Sequence, residues 1–135
     1  MAVTFFSSNK ILDYNFGGTT YTVPSTLYFG LSLSTINIDG SGATEPSGGG
    51  YARVAVTNNK TNFGVASNGV LTNLTAVTFA ESTASWGTIT YVGIWDALTG
   101  GNIWWYDVLS PARTVASLTT VLFAIGSVSI QFNNS

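Results

Sequence analysis

The side chains able to do chemistry are few. Lys10, Arg53, Lys60 and Arg113 are the only cations, and Asp13, Asp39, Glu45, Glu81, Asp96 and Asp107 the only acids; histidine and cysteine are absent. The nucleophile–base pairs common in acyl transfer therefore lack both imidazole and thiol, and neither a disulfide framework nor an imidazole or thiolate metal site can form. A Ser–Lys dyad would have to recruit Lys10 or Lys60, each in a polar segment. Two-carboxylate glycoside chemistry would draw on Glu45, Glu81, Asp96 and Asp107. Asp96 and Asp107 flank the Gly100-Gly101 turn and could approach across a hairpin, where solvated strand ends are the commoner outcome. Calcium needs several oxygen ligands from one loop, and Asp39 with Asn37 and Ser41 brings a single carboxylate. Gly48-Gly49-Gly50 lacks the Lys-Ser/Thr pair of a phosphate loop. Asn73-Leu74-Thr75 and Asn133-Asn134-Ser135 match the glycosylation pattern, as Asn-rich sequences do by chance. The expectation is no catalysis, no metal and no cofactor.

The aromatic set offers a different chemistry. Trp86, Trp95, Trp104 and Trp105 could form a platform on which sugar faces stack, or could be core. Adjacent strand residues point to opposite faces, so at most one of Trp104 and Trp105 belongs to a given core. The other is exposed, stacks on a ligand or is buried against another subunit, and the subunit contact is the favoured outcome.

The elements that would position these residues read with a period of two. From Ser25 to Ser34, Leu27, Phe29, Leu31 and Leu33 share one face, and Tyr28, Gly30, Ser32 and Ser34 the other, the pattern of a half-buried antiparallel strand. Val54 and Val56 alternate with Arg53, Ala55 and Thr57, and Val77 and Phe79 with Thr78. Thr88–Asp96 is apolar on both sides, Ile89/Tyr91/Trp95 against Val92/Ile94. So is the stretch with Ile103/Trp105/Leu109 on one side and Trp104/Tyr106/Val108 on the other. Val121, Phe123 and Ile125 share a face until Gly126 breaks the parity, and Val128, Ile130 and Phe132 resume it, which predicts a tight turn or bulge. Gly and Asn pairs separate the runs, so short, regularly punctuated strands predict an all-β sandwich or barrel in a single domain over 1–135. The one helical candidate is Ser7 to Tyr14, of a turn or two, capped by Ser7 or Ser8, docking Ile11 and Leu12, and stopped at Gly17. Residues 1–18 thus read as an N-terminal arm with a short helix, and 37–50 as a Gly-rich loop, either a contact arm or a slack hairpin connection.

Charge bounds the setting. Only 7% of residues are charged, where a soluble domain carries about 25%. The surface must be Ser, Thr, Asn and Gly, with apolar area left to face a neighbour. A net charge of −2 with four scattered basic residues argues against nucleic-acid binding, which needs a basic patch. No basic residue precedes the Val3–Phe6 cluster, so no signal peptide is expected. No apolar run approaches the ~20 residues of a membrane span.

Thr44-Glu45-Pro46-Ser47-Gly48-Gly49-Gly50-Tyr51-Ala52-Arg53-Val54-Ala55-Val56 resembles a segment that recurs in small tailed-phage virion proteins. Thr26-Leu27-Tyr28-Phe29-Gly30-Leu31 is similar to that family's first long strand. Trp86-Gly87-Thr88-Ile89-Thr90-Tyr91-Val92-Gly93-Ile94-Trp95-Asp96 is similar to its central strand, and Thr99-Gly100-Gly101-Asn102 to the turn that follows. The family includes capsid decoration (cement) and head-fibre proteins, often labelled tail-fibre-like. The resemblance implies an antiparallel, jelly-roll-like β-sandwich with one short N-terminal helix. It implies a structural protein of the virion surface, made in the host bacterial cytoplasm, that carries no catalytic residue. In the leading role it would stabilise the outer shell by binding the major capsid protein and itself, as a homotrimer. The alternative is a tail-fibre or receptor-binding module contacting host surface glycans. The residues expected at subunit or capsid contacts are Phe5, Phe6, Glu45, Tyr51, Arg53, Trp104, Trp105 and Tyr106. Glu45 and Arg53 are also expected to pair and pin the base of the 37–50 loop.

Overall fold

The computed structural model describes residues 1–132, so the Asn133-Asn134-Ser135 motif lies outside the described residues. In chain order the elements are β1 (Ala2–Val3), α1 (Phe5–Asn15), β2 (Thr26–Ser32), β3 (Val54–Thr57), β4 (Val70–Thr72), β5 (Val77–Thr78), β6 (Gly87–Trp95), β7 (Ile103–Val115), β8 (Leu122–Phe123) and β9 (Ser129–Gln131). A five-stranded antiparallel sheet runs β1-β7-β6-β2-β3, and two ribbons, β4-β9 and β5-β8, complete the β structure. The expected antiparallel sandwich with one N-terminal helix is therefore present. Its second layer is divided into two ribbons rather than drawn as the continuous second sheet of a jelly roll.

One face of the large sheet builds the main core. Phe29, Leu31, Ile89, Val92 and Ile94 pack with Val77 and Phe79, and Leu71, Phe123 and Ile130 from the ribbons close over them. Burying each such side chain fully contributes about 1.5–3 kcal/mol. The other face carries a smaller cluster of Ile36, Trp95 and Ile103 flanked by Tyr28, Ala43, Tyr91 and Tyr106.

Two irregularities reassign faces that strict alternation would fix. Pairing breaks between Ile89↔Arg113 and Tyr91↔Val108, so Ile89 joins Val92 and Ile94 in the main core instead of Tyr91 and Trp95 on the opposite face. It breaks again between Ile94↔Trp105 and Trp95↔Ile103, leaving Trp104 as the extra residue of a bulge. Ile103 therefore leaves the Trp105/Leu109 face. A bulge inserts one residue and inverts the facing of everything beyond it.

The helix is longer than expected and starts earlier. Thr4 caps it, its Oγ1 accepting from the Ser7 N–H while its hydroxyl lies 2.7 Å from the Ile103 carbonyl. Ser7 and Ser8 lie inside the first turns, because β1 pairs with β7 and delivers Thr4 directly to the helix start. Gly17 does end it, at φ 128. Only Ile11 of the Ile11–Leu12 pair docks; Leu12 is 53% exposed, since neighbours on a helix point about 100° apart.

The Gly-rich loop is folded back on its own sheet. Leu33 N–H donates to Thr44 O at 2.8 Å, Thr44 N–H to Ser32 Oγ at 2.9 Å, and the tip turns where Asn37 N–H meets Ser41 O. It covers the Trp95 side of the sheet with Ile36 and Ala43. The Ile125-Gly126 turn falls where the parity change placed it, with Ser127 N–H donating to Ala124 O.

Candidate functional site

Two constellations stand out, and the first is a polar clamp at the loop base. The Glu45 carboxylate takes Arg53 Nη2 at 2.7 Å and Nε at 2.9 Å, the bidentate fork of a guanidinium on a carboxylate. Tyr51 Oη donates to Glu45 Oε1 at 2.8 Å and accepts from Leu31 N–H at 2.9 Å. Arg53 Nη1 donates to the carbonyls of Ala97 at 2.6 Å and Gly100 at 2.7 Å. The guanidinium lies 4.2 Å from the Trp95 ring centroid. Trp95 in turn rests on Gly30 and Gly93, which face each other in the β2–β6 register. Burial pushes the Tyr51 phenol well above its usual value, and the Glu45 charge adds to this, so Tyr51 stays a neutral donor. The donors and acceptors of the clamp are occupied by one another and by backbone. It joins loop 37–50, β3 and the turn after β6 into one body.

Asp96 holds the far side of that turn. Its carboxylate takes the Asn102 N–H at 2.8 Å, Asn102 Nδ2 at 3.3 Å and the Trp104 indole N–H at 3.1 Å. Burial opposes its charge most, yet these hydrogen bonds together hold the carboxyl below the ordinary aspartate value of 3.8. A depressed folded value means stability present above the unfolded value and lost as pH falls through the folded one. Asp96→Asn should therefore lower stability at neutral pH by about 1–2 kcal/mol. Its urea midpoint should fall less than the parent's when the pH is taken below 3.8; equal acid losses in the two proteins would refute the assignment.

The second constellation surrounds α1. Phe6 stands edge-on to Trp104, with centroids 5.4 Å apart, and Tyr21 lies 6.1 Å from the same indole. Because Trp104 is the bulge residue, it and Trp105 both line one cleft of about 410 Å³ beneath the helix, with Ile11, Leu27, Phe63 and Leu71 among the walls. Opposite the docked side, Phe5 and Leu12, at i and i+7 of one helix face, are exposed by 52% and 53%, and Phe16, the C-cap just past the helix, by 80%. Ile38, also exposed, accepts the Phe5 N–H through its carbonyl.

The residues singled out in the sequence thus fall into separate places. Glu45, Tyr51 and Arg53 form the clamp, the Glu45–Arg53 pair as expected. Phe5, Phe6 and Trp104 meet at α1, with Trp104 covered by the chain's own helix. Trp105 is half-buried against Phe132, and Tyr106 lies on the opposite face near Trp95. Leu12, expected to dock with Ile11, faces outward instead, and Phe16 at the C-cap was not among the expected contact residues. The Trp platform does not form: Trp86, Trp95 and Trp104 are each buried. Asp107 sits opposite Val92, four residues along β6 from Asp96, so the two acids do not meet. Asp39 is engaged by Ser41, and no acid cluster able to hold a metal ion occurs among the described residues. Asn73 is 1% exposed and bonded to Thr75, Ala124 and Val128, which removes it as a modification site.

The family model described as Podophage GP4 fiber I protein gp80 matches residues 2–131. The chain belongs to that family. It is a structural fibre family of phage particles, so this fibre-family chain is a virion protein. No curated protein matches it. Among the described residues no helix is long and apolar enough to cross a membrane.

Proposed function

We propose that this fibre-family protein is a non-enzymatic structural subunit that works by contact, seating on a neighbouring virion protein through the outward face of α1. The observation that carries this reading is the apolar, exposed face of Phe5 and Leu12 on α1 with Phe16 at its C-cap. Such a patch on a folded domain marks an interaction surface. The contacts proposed are with a capsid or fibre-base protein and with further copies of the chain, a homotrimer being the expected form. The capsid-cement role would use residues 1–18 and 37–50 as extended clips; with β1 and α1 packed on β7 and the loop tied back to β2, a cement contact, like a fibre contact, would run through the outer face of α1. Glycan binding finds less support, because the tryptophans that would stack on sugars are largely in the interior.

Quantitative mass spectrometry of purified particles tests the choice. A fibre subunit should occur at a small fraction of the major capsid protein's copy number; near-equal numbers would make it a decoration protein. Phe5→Ser combined with Phe16→Ser should leave the melting temperature of the isolated protein nearly unchanged and deplete it from particles. Normal incorporation would overturn the α1 contact.

A further inference from the structure

We propose that the cleft beneath α1 is a docking site for an acidic peptide segment bearing one large apolar anchor side chain. This proposal rests on the reading above only in taking the protein to work by contact; it concerns the docked side of α1, lined by Ser7 and Ile11, rather than the outward Phe5/Leu12 face. Its volume of about 410 Å³ falls in the ordinary range of ligand sites, about 300–1,000 Å³. Leu27, Phe63, Leu71, Trp104 and Trp105 make the walls apolar, which suits an aliphatic or aromatic side chain. Ser7 also lines the cleft; it is 1% exposed, and its Oγ has no hydrogen-bond partner among the described residues. A buried hydroxyl without a partner is costly, and a backbone carbonyl flanking the anchor would satisfy it.

Charge at the mouth selects the partner. Lys60 lines the cleft, with Nζ 2.8 Å from Gly64 O. Lys10 lies over the rings of Phe6 and of Tyr21, which also lines the cleft. Neither lysine meets a carboxylate within ion-pair distance among the described residues. In a chain with net charge −2, Lys60 in the cleft wall and Lys10 beside its Tyr21 edge, neither paired with a carboxylate, complement acidic groups on either side of the anchor.

The purified full chain is titrated with acetyl-Glu-Leu-Glu-amide, acetyl-Lys-Leu-Lys-amide and acetyl-Glu-Ser-Glu-amide while the indole N–H resonances of Trp104 and Trp105 are followed. The first peptide should saturate, and the other two should bind roughly tenfold more weakly or worse. Leu71→Trp, which fills the cleft, should abolish binding in a protein whose circular dichroism is unchanged. Lys10→Glu with Lys60→Glu should reverse the preference toward the basic peptide, and this arm decides alone should Leu71→Trp not fold. Absence of saturation, equal binding of all three peptides, or an unchanged preference after charge reversal overturns the proposal. The particle copy number and the Phe5/Phe16 variant are unaffected by those outcomes, so failure of the cleft and failure of the contact reading are told apart.

Discussion

Arg53→Met should lower the unfolding free energy by about 3–5 kcal/mol, the cost of removing the buried cation from an ion pair whose carboxylate keeps 28% exposure, together with its two carbonyl contacts. The guanidinium is nearly inaccessible, with its side chain 4% exposed. Its loss leaves the Glu45 carboxylate with only the Tyr51 hydroxyl, leaves the Ala97 and Gly100 carbonyls without the guanidinium and uncovers the Trp95 ring. For a chain of this length the melting temperature should fall by roughly 12–20 °C. Amide exchange should quicken first in the 37–50 loop, whose base the pair holds. Glu45→Gln added to Arg53→Met should recover part of the loss, because the uncompensated charge is then gone. A loss within about 1 kcal/mol would mark the pair as solvent-screened, like an exposed one.

Gly30→Val should cost about 3 kcal/mol or more, by overpacking rather than by backbone strain. Gly30 and Gly93 have no positive φ; what they provide is space. A Cβ at Gly30 would sit 2.7 Å from Trp95 Cζ3 and 3.0 Å from Glu45 Oε1. A Cβ at Gly93 would sit 2.7 Å from the same ring atom. The indole cannot retreat, because Arg53 lies over it and Glu45 holds Arg53. Tryptophan fluorescence and urea melts would read the effect, and Trp95→Leu should restore much of the stability of Gly30→Val by vacating the contested volume. A Gly30→Val protein as stable as the parent would mean that Trp95 is not clamped.

These two substitutions and the outer face of α1 act on different properties. Clamp and glycine pair set how rigidly the loop side of the sheet is held, so changes there are read in stability. The outer face contributes little to the isolated fold, since its side chains are mostly in water, so changes there are read in assembly. That division suits a protein with 7% charged residues: its solubility rests on Ser, Thr, Asn and Gly, while its exposed apolar residues are available to a neighbour.

The sequence by itself determined the all-β class, the strand within Ser25–Ser34, the turns and the Glu45–Arg53 pair. Alternation, Gly/Asn punctuation and two opposite charges beside one loop are local signals, readable without knowing what lies across the sheet. It also carried the resemblance to phage virion proteins that the fibre-family match sustains. Tertiary structure alone decided the facing of Ile89 and Ile103 and the shared cleft of Trp104 and Trp105. A single unpaired residue inverts facing, and its place depends on cross-strand register rather than on the strand's own pattern. The same holds for Gly30 and Gly93, ordinary strand glycines until register sets them opposite one another beneath Trp95. It holds for α1 as well: apolar on two sides, the helix was assigned its inner face by the β7 surface that receives it, and Leu12 and Phe16 were left outward.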